Sequence, residues 1–532
     1  MPSSRASAAV DNTPTPAAVV LREFTPSELQ LAIFEWFKRG PEAGNLIVRA
    51  RAGTGKTTTI LRAVDFAPER AILIAAFNKR IQEELAARLS NPNATALTLH
   101  SLGYRMLRKH VGYIATCKRS EREEAIADMV SKGLGYGAKR LVGRLVTKAR
   151  EILPSLDNTL DQMVDLAEEF DITPSFNDTF TIEQLAGAAL HGLRWAANPE
   201  SAKFTGIDFA DMIFLPLVNG MVSPDFDMVV VDEAQDMSAS QLTLAMRACK
   251  PEGRVVLVGD DRQAIYGFRG ADSGSLDRLK GVLDADELPL SKTYRCPQKV
   301  HAIAQRYVPD YEVDASAPAG VVSRIASLDD LVSRAKAGDF VLSRRNAPLA
   351  RTALRFLMRG IPARIVGRDI GAALKQLVKQ LAVGSAADSV PEFLARLQSY
   401  ENKQRARLIA EKHEHRIDEM VDKCETLRIL AEGARSVPSL VVEIDNLFVA
   451  DPGAYVICSS VHKAKGLEAT NVFLLESTFF LPAPCVNCKR RPSQCKCREF
   501  EVDEMKRKEE ENIYYVAVTR AKETLTFIEE KF

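Results

Sequence analysis

Short runs of aliphatic and β-branched residues recur along the chain, each ending in a turn and followed by a helical period. That alternation is the mark of parallel α/β layers. Residues 46–49 read as a strand entering a glycine-rich turn, with a helix from Thr57 onward. Residues 71–74 predict a second strand, followed by an amphipathic helix over 79–89. The uninterrupted apolar runs 228–231 and 255–258 suit strands covered on both faces, and each ends on an acidic or Gly-Asp turn. Between residues 100 and 221 the period is helical and densely charged, which predicts a helical insertion into this first set. A second set opens near Leu288, with strands at 340–342, 364–366, 455–457, 472–475 and 525–528 and helices over 347–359 and 511–522. A smaller charged helical stretch, 370–446, interrupts it. The expected fold is α/β: two domains with parallel sheets, each carrying a mainly helical insertion. The expected divisions are a disordered tail over 1–20, a first domain from 21–104 and 222–287 with insertion 105–221, and a second from 288–370 and 447–532 with insertion 371–446.

Composition changes this picture little. At 532 residues, 46% apolar and 27% charged, the chain has material for several cores, which excludes collagen-like, disordered and small disulfide-scaffold classes. No uncharged apolar run reaches the roughly 18 residues of a membrane span. The first twenty residues, rich in Ser, Ala, Pro and Thr, lack the apolar segment of a secretory signal, and a cytoplasmic location is the expectation. Charge is balanced overall, at +1, but unevenly spread. Residues 105–150 hold twelve Lys/Arg against four Asp/Glu, whereas 151–236 hold two against seventeen. A neutral total can thus conceal a basic surface able to displace counterions from a phosphate backbone, but on charge alone a solvated helical face is the preferred reading, and nucleic acid needs other evidence.

The first candidate chemistry lies in Ala50-Arg51-Ala52-Gly53-Thr54-Gly55-Lys56-Thr57, between a predicted strand and a predicted helix. This is the setting of a Walker A loop. Glycines such as Gly53 and Gly55 let backbone N–H groups curl around phosphate oxygens, and the helix N-terminus favours negative charge. Gly53, Thr54, Gly55, Lys56 and Thr57 are therefore the expected ATP contacts, with Lys56 on the β/γ-phosphates and the Thr57 hydroxyl on Mg²⁺. Asp232 and Glu233 follow the apolar run ending at Val231. A carboxylate at a strand's end can hold the Mg²⁺ shell while its neighbour orients water, so Asp232 is assigned to the metal and Glu233 to the water. Phosphoryl transfer also needs positive charge on the γ-phosphate. Arg295, in Thr293-Tyr294-Arg295-Cys296-Pro297, and Arg520, in Tyr515-Val516-Ala517-Val518-Thr519-Arg520, are the candidates from the second set.

In this order these segments resemble superfamily 1 DNA helicases of the UvrD/Rep/PcrA type. Further matches are Phe24-Thr25-Pro26 with Gln30, Thr98-Leu99-His100-Ser101, the segment Gly259 to Ala271, and Val461-His462-Lys463-Ala464-Lys465-Gly466-Leu467-Glu468. The resemblance covers both α/β sets but neither insertion, and the second insertion is far shorter than the accessory domain of that family. It implies two RecA-like domains that close on ATP. Gln30 would then read adenine, Gln263 sense the γ-phosphate, Glu468 contact the sugar, and Arg295 and Arg520 act as arginine fingers. It also implies single-stranded DNA and its junctions with duplex as the partner, with Thr98, His100, Tyr266, Phe268, His462 and Lys463 along the strand. Phe268 stands where the family commonly has a stacking Trp. The implied activity is ATP-dependent translocation and 3′ to 5′ unwinding by a monomer. The alternative is a DNA-stimulated ATPase subunit of a nuclease or defence assembly, without robust unwinding.

One cluster stands apart. Cys485, Cys488, Cys495 and Cys497 form two close pairs across a polar turn, within a hairpin expected over 484–498. Four thiolates so spaced suit one tetrahedral Zn²⁺. Clustered reduced thiols, or an iron–sulfur cluster, are the other readings.

Overall fold

The computed structural model describes residues 25–131, 134, 136–170, 172–174, 178–265, 275–382, 389–410, 416–449, 455–481, 497 and 504–532. Among them, six strands form one parallel sheet: β1 (Leu46–Ala50), β2 (Ile72–Ala76), β3 (Ala94–Thr98), β4 (Phe226–Val231), β5 (Cys249–Gly259) and β6 (Asp286–Leu290). Their order is β3-β2-β4-β5-β1-β6. The two short strands β7 (Lys292–Thr293) and β8 (Glu312–Val313) pair with each other. A seven-stranded parallel sheet follows, built from β9 (Val321–Ile325), β10 (Phe340–Ser343), β11 (Ala363–Val366), β12 (Phe448–Val449), β13 (Val456–Ser460), β14 (Ala469–Leu475) and β15 (Ala521–Ile528). These run in the order β12-β11-β13-β10-β14-β15-β9.

Both sheets are covered on both faces. Alternate β1 residues serve separate cores, Leu46 and Val48 on one side and Ile47 on the other, as the period of two in a strand requires. This is why the central strands read as unbroken apolar runs. Two expectations need correction. β6 pairs with β1 along residues 286–290, so the first sheet runs past the expected division at 287/288. The last helix spans Glu504–Val518 and not 511–522. Thr519 turns its hydroxyl back on the Tyr515 carbonyl at 2.8 Å, and β15 begins at Ala521.

The first insertion is a helical body with its own core, in which Leu145, Met163, Leu185 and Leu193 are fully buried. Its two charge blocks meet inside it. Arg122 Nε donates to Asp211 at 2.7 Å, and Arg150 forks onto Asp208 at 2.8 Å and Asp211 at 2.7 Å, with all four side chains buried. Part of the basic excess of residues 105–150 is therefore neutralised by the acidic stretch that follows it. The second insertion, with helices Arg368–Leu381, Val390–Ala410, Ile417–Glu432 and Val437–Leu447, behaves differently. Phe393, Leu427 and Leu440 share one core with Val341 and Ile365 of the sheet. Asp422 also caps the sheet's helix Asn346–Met358 by accepting from the Asn346 and Ala347 amides at 2.8 and 2.9 Å. No helix among the described residues is long and apolar enough to cross a membrane.

Candidate nucleotide and nucleic-acid site

β4, β5 and β1 are neighbours in the first sheet, so the loops leaving their carboxyl ends converge, where open parallel sheets bind ligands. β1 leads to the 50–57 loop, β4 to Asp232 and Glu233, and β5 to Asp260 and Gln263. Gly53 and Gly55 have φ of 70° and 77°, in the left-handed region that only glycine enters without cost. At Gly53 space is also decisive. A Cβ there would lie 2.5 Å from Arg295 Cβ and 2.8 Å from Thr293 Oγ1.

The Lys56 ammonium lies 3.0 Å from one oxygen of Glu233 and 3.1 Å from the other. Glu233 reaches it from a left-handed backbone conformation, φ 52°. Such strain persists where the surrounding structure over-determines it and concentrates at functional sites. Burial opposes the charge on Glu233, but Lys56, Lys465 and the Gln235 amide overcome it and hold the carboxyl below its ordinary range. Burial, reinforced by the neighbouring Glu233 charge, pushes Asp232 the other way. Thr57 stands in the first turn of the helix Lys56–Val64, and Asp232 directly follows β4, nearly inaccessible to solvent. A hydroxyl and a carboxylate are the hard oxygen donors Mg²⁺ takes, so this pair fits the expected ion.

Arg295 and Arg520 both reach this seam. Arg295 Nε lies 2.6 Å from Glu468, which also pairs with Lys522. Arg520 is 1% exposed, and its hydrogen bonds go to uncharged oxygens: Val516 O at 2.9 Å, Leu467 O at 3.1 Å, and Thr519 Oγ1 and Gln263 Oε1 at 3.3 Å. Burial, with the like charge of Arg295, lowers it to about 10, so it stays protonated at neutral pH. Gln30 sits beside the loop, its Nε2 3.8 Å from where a Gly55 Cβ would be. Its amide bonds Thr59 Oγ1 at 2.8 Å and closes a capping box with Ser27, while Tyr294 OH stands 3.5 Å away.

The strand-contact candidates are less uniform. Thr98 caps the helix Leu99–Val111 by accepting from Ser101 N at 3.1 Å. His100 meets the ring of Phe209 edge-on, with centroids 5.4 Å apart. His462 is lowered to about 4, first by burial and then by Arg344, and is a neutral imidazole at pH 7. Lys463 pairs with Asp369 at 2.7 Å. Tyr266 and Phe268 lie outside the described residues, as do Cys485, Cys488 and Cys495; Cys497 is half-buried. Among the described residues no group of three or more His, Cys, Asp or Glu is arranged to hold a metal.

Sequence reasoning missed the residues that join the parts. Gln235 donates to Glu233 at 2.6 Å and accepts from Asp260 N at 3.1 Å, tying the β4 and β5 loops together. Lys465 crosses the seam to Asp236 at 2.6 Å and to Gln263 O at 2.5 Å. Tyr515 OH accepts from Ala52 N at 2.9 Å, and Tyr311 OH donates to Ala52 O at 2.8 Å. Asp236 and Lys465 were inside recognised segments, yet no local pattern marks a pair 229 residues apart.

Two parallel α/β lobes, with a glycine loop, a paired acidic strand end, and the half-buried Arg295 and buried Arg520 at their seam, define a P-loop protein of two RecA-like domains. The UvrD/REP helicase N-terminal domain matches residues 38–283 and the UvrD-like helicase C-terminal domain matches 369–531. The chain belongs to the UvrD-like helicase family. It is similar to F-box DNA helicase 1 of Gallus gallus, 24% identical across 91% of this chain and 47% of that protein. It is also similar to ATP-dependent DNA helicase PcrA of Leuconostoc citreum, 26% identical across 48% of this chain and 36% of the relative. ATP-dependent DNA helicase UvrD1 of Mycobacterium leprae is 24% identical, across 50% and 38%. The matched region spans less than half the length of each of these relatives.

Proposed function

We propose that this chain is an ATP-driven translocase on single-stranded DNA that unwinds duplex 3′ to 5′, working as a cytoplasmic monomer. The observation that carries the reading is Arg520, a buried guanidinium that among the described residues bonds only to neutral oxygens and is linked to Gln263 across the seam. A buried cation without a counter-charge is costly, and a γ-phosphate arriving beside Gln263 would supply that charge. Lys56 binds the β/γ-phosphates. As phosphate oxygens draw it from Glu233, the carboxylate becomes available to orient the attacking water. Thr57 and Asp232 would hold Mg²⁺, which would supply positive charge against the phosphates. Gln30 and Glu468 contact the base and sugar, and Arg295 adds positive charge at the γ-phosphate. Closure on ATP and reopening after hydrolysis alternate the grip on DNA, because nucleotide shifts the open–closed balance by its preference for the closed form. Thr98, His100, Tyr266, Phe268, His462 and Lys463 line the strand. The 3′ to 5′ direction rests on the style of the motifs. The Cys485–Cys497 cluster is read as a four-thiolate zinc hairpin, tested by metal analysis of purified protein.

ATP hydrolysis with single-stranded DNA, with RNA and without polymer tests the reading, followed by strand displacement on 3′- and 5′-tailed duplexes. DNA should stimulate turnover most, and only the 3′-tailed duplex should open. DNA-stimulated ATPase without displacement would favour a nuclease or defence-assembly subunit instead. Lys56→Ala should abolish turnover. Arg520→Ala should lose hydrolysis while retaining nucleotide affinity, and equal loss of both would refute the finger role.

A further inference from the structure

Position 51 is one of the four unspecified places in a Walker A loop, so phosphate binding does not explain an arginine there. Arg51 is nonetheless among the most engaged side chains of the molecule, at 5% exposure. NH1 donates to Asp260 Oδ1 at 3.0 Å and to Asp261 Oδ1 at 2.7 Å. Nε and NH2 donate to Asp310 Oδ2 at 3.0 and 2.7 Å. Asp310 is flanked by Val308 and Tyr311, which are buried in the core of the second lobe. On the other side, Asp260 Oδ2 accepts from Gln263 Nε2 at 2.6 Å, and Gln263 Oε1 accepts from Arg520 at 3.3 Å. A single hydrogen-bonded chain thus runs Asp310, Arg51, Asp260, Gln263, Arg520.

We propose that Arg51 is a positioning residue for hydrolysis: by keeping Asp260 an acceptor, it fixes the Gln263 amide with its oxygen toward Arg520. An amide has a donor end and an acceptor end. The other orientation would set the Gln263 NH₂ against a guanidinium, donor against donor. Asp260 selects the productive orientation only while ionised. Burial pushes its carboxyl upward, as does Asp261, and the opposing influences are Arg51, Lys56 and the Gln263 amide. Lys56 is the group that leaves for phosphate during turnover, which leaves Arg51 as the fixed cation at Asp260. The guanidinium's planar fork also matters. It serves Asp260 and Asp261 from one nitrogen and Asp310 from two, a division that a lysine ammonium cannot copy.

This inference rests on the chain being a DNA-stimulated ATPase, and the test separates the two. Steady-state hydrolysis by the full chain with single-stranded DNA is compared for wild type, Arg51→Ala, Gln263→Ala and the double variant. Arg51→Ala should lower kcat about tenfold while KM for ATP stays within about threefold. In the Gln263→Ala background the same change should cost less than about twofold, because residues acting through one another are not additive. Arg51→Lys, which keeps the charge but not the fork, should recover part of kcat. Losses that multiply in the double variant would overturn the proposal and leave Arg51 a staple between lobes, as would a raised KM with kcat intact. If Arg51→Ala does not give a folded chain by its thermal midpoint, the cycle is run with Arg51→Lys, and multiplying losses overturn the proposal there too. A wild type without DNA-stimulated turnover would sink the functional reading and this inference together; a working ATPase with multiplying losses would sink the inference alone.

Discussion

His462 and Lys463 are adjacent, yet they offer a phosphate different things. Burial and the nearby Arg344 keep the His462 imidazole neutral, at about 4, so it can donate a hydrogen bond but releases no counterion. Lys463 is tethered to Asp369 at 2.7 Å and can exchange that carboxylate for a backbone phosphate. Binding of single-stranded DNA across a salt series tells them apart. Lys463→Ala should reduce the slope of log affinity against log salt by about 0.7, the value for one phosphate contact on a single strand. His462→Ala should weaken binding with the slope unchanged, and an equal fall in slope would mean that the ring is charged when bound. The same burial gives a stability signature. The unfolded chain protonates His462 near pH 6.5 and the folded chain near 4, so the unfolded state holds more protons in that window. Stability should therefore fall as pH drops from about 6.5 to 4. In His462→Gln this part of the fall should vanish from urea midpoints taken across the range.

At the scale of elements, packing of the first insertion onto the first sheet turns on one glycine. The helix Leu99–Val111 passes so close to the helix Phe209–Val218 that a Cβ on Gly103 would sit 2.0 Å from the Met212 carbonyl oxygen. A backbone atom cannot swing aside as a side chain can, so Gly103→Ala must force the helices apart. Overpacking of this kind costs about 1–3 kcal/mol, and urea unfolding should show at least that loss; an unchanged midpoint would mean the helices separate freely. Elements also show what the sequence made legible. β1, β4 and β5 were readable because strands buried on both faces are apolar throughout, and they carry the loops with Lys56, Asp232 and Gln263. β3 and β6, at the two edges of the same sheet, were not. Their residues, ATALT and DELPL, are only partly buried, so β3 left no apolar run and β6 was read as opening the second set. The charge blocks of the first insertion suggested a basic surface, whereas Arg122 and Arg150 found their partners in the acidic block behind them. Arg51 with Asp310, and Lys465 with Asp236, were out of reach for one reason: contacts between residues more than two hundred positions apart have no period, spacing or composition to announce them.

For the whole molecule the question is what holds the lobes in register before nucleotide does. Tyr515 and Tyr311 grip both polar atoms of the Ala52 backbone, and Asn512 reaches the Asp261 and Ala264 carbonyls at 3.3 and 3.4 Å. Two charged pairs belong to this set, Arg51–Asp310 and the more deeply buried Lys465–Asp236, whose side chains are 8% and 3% exposed. Removing one partner of a buried pair leaves the other uncompensated, at a cost of about 3–5 kcal/mol. In Lys465→Met that cost falls on the docked arrangement alone, since Asp236 is rehydrated once the lobes part. A loss of about 3 kcal/mol shifts a two-state balance by roughly a hundredfold. Dyes placed on opposite lobes should therefore report a longer mean distance in the nucleotide-free variant than in wild type, while the thermal midpoints of the lobes hardly move. ATP should restore part of the closure in Lys465→Met, because Lys56, Arg295 and Arg520, the proposed phosphate contacts, remain in place. Unchanged distance without nucleotide would mean that the tyrosines, Asn512 and the Arg51–Asp310 pair carry the seam without Lys465, and that Lys465 serves chemistry instead of docking.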